Sequence, residues 1–160
     1  FSVRAQAAYD WVTGAYLGGG VSGAVAADGD LYGVYAIGGD ITGGVASARG
    51  RVDAVVAQAL WSPRQARLWG GDIEGVVIRA DAGRVGLVSV GGRFYNASVS
   101  AAQIGSVRVA GLIEEEAGDG EDELHALSGR FFVRDRSNWP GQWVGPGAEA
   151  LLGGVRCYVG

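Results

Sequence analysis

Gly38-Gly39-Asp40-Ile41-Thr42-Gly43-Gly44-Val45 is the stretch on which the fold turns. It holds a glycine pair, an apolar opener, a small residue two further on and a valine two beyond that. The same frame fits three other stretches. The openers are Val21, Ile41, Ile73 and Phe94. Gly23, Gly43, Gly75 and Asn96 follow, then Val25, Val45, Val77 and Ser98. A glycine pair stands before each opener, at 19-20, 38-39, 70-71 and 91-92.

A second motif follows each first one. It has an aliphatic residue, a valine three on, and alanine or valine two beyond. Its openers are Leu31, Val52, Val85 and Ile104, and its valines are Val34, Val55, Val88 and Val107. The openers step by 21, 33 and 19 residues. The long step contains Gln58 to Trp69, which reads as an insertion into a period near 20.

Each motif has the length of a short strand. Valine and isoleucine favour a pleated, half-buried surface, and the glycine pairs let the chain turn. A unit of about 20 residues cannot bury its own apolar side, but a stack of such units can. Helix fits poorly, because the apolar spacing is not 3.6 and glycine interrupts every window. The expected fold is therefore an all-β parallel β-solenoid, or β-helix. Residues 1-111 form its coils, with an insertion at about 58-69. Residues 112-160 form an acidic loop and a divergent β end region.

The start of the chain reads as part of a coil. Ser2-Val3-Arg4-Ala5 matches the end of a second motif, and Val12-Thr13-Gly14 matches Ile41-Thr42-Gly43. No capping segment precedes it, so the first coil is expected to present an open edge. Such an edge fits either lost preceding coils or a neighbouring subunit that covers it.

Composition narrows the function. Glycine is 30 of 160 residues, without the strict period and abundant proline of collagen. A hydrophobic fraction of 48% excludes a disordered chain. Cys157 is alone and His125 is the single histidine, so no disulfide framework or zinc cluster can form. All 13 basic residues are arginine, so lysine chemistry is excluded. A pI near 4.9 and the absence of an arginine-rich run argue against nucleic acid as a partner. No apolar run is long enough for a membrane span.

The acidic run of Glu114, Glu115, Glu116, Asp119, Glu121, Asp122 and Glu123 lacks a calcium-loop spacing and reads as a solvated loop. Asp30, Asp40, Asp53, Asp72 and Asp81 stand beside turns, where aspartate serves local hydrogen bonding. No nucleophile elbow is present, and no cofactor is expected. The Asn96-Ala97-Ser98 sequon falls in an expected strand. The tryptophans carry the best signal. Trp61 and Trp69 bracket the insertion, and Trp139 and Trp143 bracket a proline turn. Exposed aromatics with arginine mark contact surfaces or sugar-stacking sites. The expected interface residues are Phe1, Trp11, Trp61, Trp69, Trp139, Trp143, Arg64 and Arg67.

The Gly-Gly-Asp-Ile-x-Gly units at 38-43 and 70-75, with Ile104-Gly-Ser-Val-Arg-Val109, resemble the repeats of large bacterial surface and extracellular β-solenoid proteins. That resemblance covers about residues 12-111, and there is a looser similarity to bactofilins, bacterial filament formers with a stacked β-helix core. It departs from them in the tryptophan-bearing insertion, the divergent end region and the lack of lysine. The resemblance implies an extracellular or cell-surface location and a non-enzymatic, self-associating structural subunit of a filament or other assembly. An adhesin module that binds surface glycans through its tryptophans is the alternative. A fragment of a β-helix polysaccharide-degrading enzyme is a third.

Overall fold

A computed structural model describes residues 1-47, 49-116 and 122-160. The chain is all-β, and its sheets mix parallel with antiparallel pairing. In chain order the strands are β1 (Ser2–Tyr9), β2 (Tyr16–Gly18), β3 (Val25–Ala27), β4 (Gly33–Ile37), β5 (Val45–Ser47) and β6 (Val52–Gln58). Next come β7 (Leu60–Ser62), β8 (Arg67–Trp69), β9 (Ile73–Glu74), β10 (Val77–Val90), β11 (Phe94–Tyr95) and β12 (Ser98–Val109). The last six are β13 (Ile113–Glu114), β14 (Glu123–Ala126), β15 (Phe131–Arg134), β16 (Gln142–Val144), β17 (Glu149–Leu152) and β18 (Val155–Val159).

The repeats pair with one another in parallel, and equivalent residues stack into columns. The first openers give Val21–Ile41–Ile73–Phe94–Ile113. The second motif gives Leu31–Val52–Val85–Ile104 and Val3–Val34–Val55–Val88–Val107–Val133. Except for half-buried Val3, every one of these side chains is buried. The core is thus a bundle of like-on-like columns, with neighbouring backbones about 4.8 Å apart. The match of Ser2-Val3-Arg4-Ala5 to the second motif is seen directly, because Val3 pairs with Val34.

A fourth column corrects the sequence frame by one residue. It runs Val25–Val45–Ile78–Val99–Leu124–Cys157, so Ile78 and Val99 stand where Val77 and Ser98 were expected. Four residues separate opener from third position in the first two repeats, but five do so at Ile73–Ile78 and Phe94–Val99. The added residue, Val76 or Ala97, is buried in the corner. Because side chains alternate, this one-residue slip turns Val77 outward and Ile78 inward. Gly23, Gly75 and Asn96 share this corner, with φ of 84°, 63° and 46°. Asparagine tolerates that left-handed conformation better than other side chains. Asn96 therefore lies in a bend and not in a strand, and its side-chain oxygen accepts from the amide of Glu116.

Two further expectations change. Val12-Thr13-Gly14 is not an opener, because Val12 is exposed on the turn between β1 and β2. The turn aspartates also do more than local work. Asp30 accepts from the amide of Arg51, Asp40 from that of Asp72, and Asp72 from that of Arg93, at 3.1, 2.9 and 2.7 Å. Each carboxylate thus bonds to the next row, reinforcing the stack at its corner.

The two ends of the stack are unlike. At the far end, β16 runs antiparallel on β15, β17 runs antiparallel on β18, and Glu115 donates to the carbonyl of Gly153 in the β17–β18 turn. These elements lie over the ends of the columns that finish at Ile113, Val133 and Cys157. At the near end, among the described residues, β3 pairs only with β5, and Ser2–Gln6 of β1 pair only with β4. Val3, Ala5, Val25 and Ala27 are left half-buried there.

Cys157 ends the column that begins at Val25 and is fully buried. Burial pushes its thiol pKa up to about 12, and the Asp135 and Glu149 carboxylates add to the rise. The thiolate is the reactive form, so a thiol reagent at neutral pH is expected to label native protein far more slowly than unfolded protein. The folded pKa lies above the unfolded one. This contribution to stability is therefore complete below the ordinary thiol range and is lost as pH rises through about 12. Urea titrations at pH 7 and at pH 10 to 11 check the sign, since the midpoint falls at the higher pH.

Candidate functional site

The insertion is a hairpin, β7–β8, and it packs on the turn between β1 and β2. Ser62 donates its hydroxyl to the carbonyl of Gly14 at 2.6 Å, and Tyr16 donates to that of Trp61 at 2.9 Å. Arg64 donates to the carbonyl of Trp11 at 3.2 Å, and Gln65 to that of Thr13 at 3.0 Å. The turn itself is fixed by Asp10, which accepts from Val12 and Thr13. Those bonds hold the Asp10 carboxylate below its usual pKa. Four of the expected interface residues, Trp11, Trp61, Arg64 and Arg67, are therefore exposed on two braced hairpins near the open end.

Trp69 differs from the other tryptophans in being half-buried. The guanidinium of Arg67 lies over its ring at 4.2 Å. Together they wall a groove of about 860 Å³. Its floor is the glycine corner at Gly20, Gly39 and Gly92, and Asp40 and Asp72 line it. Both carboxylates already accept amides of the next row, so the floor is a structural seam.

Phe1 is exposed at the open end, and its carbonyl accepts from Tyr32 at 2.8 Å. Trp139 and Trp143 lie apart from it, at the covered end. Arg134 sits over Trp139 at 4.5 Å, Arg130 over Trp143 at 4.7 Å, and Phe132 meets Trp143 edge-on at 5.6 Å. The eight expected residues thus fall into two regions, one toward each end.

The sequence reading missed an arginine face, because pairing alone assembles it. Ser89 pairs with Arg108, and Arg108 with Arg134. These positions are 19 and 26 residues apart in the chain yet one strand apart in space. The signal was present: Arg108 sits between Val107 and Val109, two column positions, and so must point outward. The acidic run is described only in part, since Asp119 and Glu121 lie outside the described residues. Among the described residues, no helix is long and apolar enough to cross a membrane.

No family model matches the chain, and no curated protein or solved structure is significantly similar to it.

Proposed function

We propose that the chain is a parallel β-solenoid that serves as a structural, self-associating unit outside the cell or on its surface, without a catalytic step. Like-on-like columns stepping by about 20 residues support the solenoid reading. The observation that carries the association is the contrast between the ends. In a parallel pair, successive residues turn their amides to opposite sides. The amide of Val25 donates to Gly44, so that of Ala26 faces away from β5. Phe1 faces β4, so the amides of Ser2, Arg4 and Gln6 face away as well. This edge, backed by half-buried Val3 and Val25, offers another strand both backbone bonds and apolar contact.

The opposite end is covered by strands running the other way, so a head-to-tail contact has no matching partner. The joint therefore brings two like ends together about a twofold axis, and the product is a closed pair. A copy of this chain is the occupant, since its edge has the same length and the same apolar backing.

Proline at an outward-facing edge amide removes a donor without breaking the existing ladder. The double variant Arg4→Pro, Ala26→Pro is expected to keep the native melting transition. Its dimer dissociation constant rises by about tenfold or more, equal to about 1.4 kcal/mol. Light scattering over a concentration series, with electron microscopy, reads the outcome. A native chain that stays monomeric throughout, or that forms regular filaments, would overturn the closed pair.

A further inference from the structure

Four arginines, Arg84, Arg108, Arg130 and Arg134, gather on one side of the β10–β12–β15 ladder. Three adjoining depressions of about 400, 370 and 270 Å³ connect them. The first two share Arg108, and the last two share Arg84 and Trp143. None of the four forms an ion pair among the described residues, whereas Arg49, Arg51, Arg79, Arg93 and Arg156 all do.

Two acids beside this face are already committed. Asp53, in the row beside Gly86, is held by Arg51 at 2.7 Å. Asp135 is buried and accepts from Ile113, Ser137 and Asn138. A chain of net charge −4 has thus collected, on one face, positive charge that no described residue pairs with. In addition, Arg134 Nε is shielded from solvent and has no hydrogen-bond partner among the described residues. A buried donor without a partner is costly, and Arg134 lines the adjoining depression, so a shift of its side chain would turn this donor toward an oxyanion there.

The aromatic rings define the rest of the ligand. Arg108 lies over Phe132 at 5.6 Å, beside the Arg130–Trp143 and Arg134–Trp139 pairs. Flat apolar surface next to planar donors suits a sugar ring that carries a carboxylate or sulfate.

We propose that this face binds an acidic polysaccharide, with the rings resting against Phe132 and Trp143 and the oxyanions held by Arg84, Arg108, Arg130 and Arg134. Nucleic acid fits less well, because its denser charge meets the net negative charge of the whole chain before it reaches the face. The binding is independent of self-association, since the open end lies beyond β4 and β1, away from these strands.

The test is calorimetric titration of the intact chain with polygalacturonate, with neutral dextran and oligothymidylate run alongside. Polygalacturonate is expected to bind, and to bind more weakly as salt rises. The exposed double variant Arg108→Gln, Arg130→Gln is expected to lose about tenfold or more in affinity, the scale of one or two charge-assisted hydrogen bonds. Trp143→Ala is expected to weaken binding while leaving the salt slope unchanged. The control Arg49→Gln, Arg79→Gln removes the same charge elsewhere and is expected to bind as the native chain does. Four results would overturn the proposal: no binding of polygalacturonate, equal binding of dextran, tighter binding of oligothymidylate, or equal losses in the two double variants.

Discussion

Replacing Phe94 by alanine is expected to lower the free energy of unfolding by about 3–5 kcal/mol, the range for an aromatic deleted from a packed core. Phe94 is fully buried, with Ile73 in the row before it and Ile113 in the row after it. Those neighbours cannot close the gap. Phe94 donates to Leu112 at 3.0 Å, and Ile73 donates to Arg93 at 2.9 Å, so the backbones on both sides are fixed at the strand spacing. The cavity therefore persists, and the loss belongs toward the upper part of the range. Phe94→Leu keeps most of the volume and is expected to cost about 1.5 kcal/mol or less. Urea unfolding separates the two, with midpoints that fall in that order at an unchanged slope.

The second large effect is expected at Asp135. It directly follows Arg134, which pairs with Arg108, and it is buried at the covered end of the stack. One carboxylate oxygen accepts from Ile113 at 2.9 Å. The other accepts the Ser137 amide and hydroxyl at 2.8 and 2.6 Å, and the Asn138 amide at 3.1 Å. Alanine leaves all of these donors without their acceptor at once. Ile113 opens β13 in the buried Phe94 column, so its amide has no route to water without opening the cap. A loss of about 3 kcal/mol or more follows from one buried unsatisfied donor together with the lost charge-assisted bonds. Asp135→Asn keeps one acceptor and should lie between alanine and the native residue. Thermal melts of the three proteins check the order. Overlapping melts of native and alanine forms would remove Asp135 from its role in closing the end.

Much of the fold was legible before any coordinates. The columns through Val21, Ile41, Ile73 and Phe94, and through Val34, Val55, Val88 and Val107, stand as the motifs aligned them. Parallel stacking places equivalent residues side by side, so a repeat in sequence becomes a neighbour in space. The frame failed at Val77 and Ser98 because a corner can absorb one extra residue without disturbing the columns on either side. Val12 misled because a valine-threonine-glycine triplet also suits a hairpin turn, and it lacked the preceding Gly-Gly-Asp. The tryptophans were identified as exposed, and four of the five are. Trp69 is the exception, since its hairpin folds back over the glycine corner. The arginine face was hidden by its spacing, because Arg84, Arg108, Arg130 and Arg134 form no run in the chain.

The difference between the covered and uncovered ends gives unfolding a direction. In the proposed solenoid without its partner copy, each row would gain its stability mainly from the rows on either side, as in a one-dimensional series of coupled units. A row with a neighbour on one side only is held by half the contacts. Heat should therefore fray the stack from Val25 and Val3 inward, row by row, while the segment around Leu124 and Val133 stays ordered longest. Damage near the first row would shorten the ordered stack, whereas damage at the covered end would remove the point from which that order is anchored.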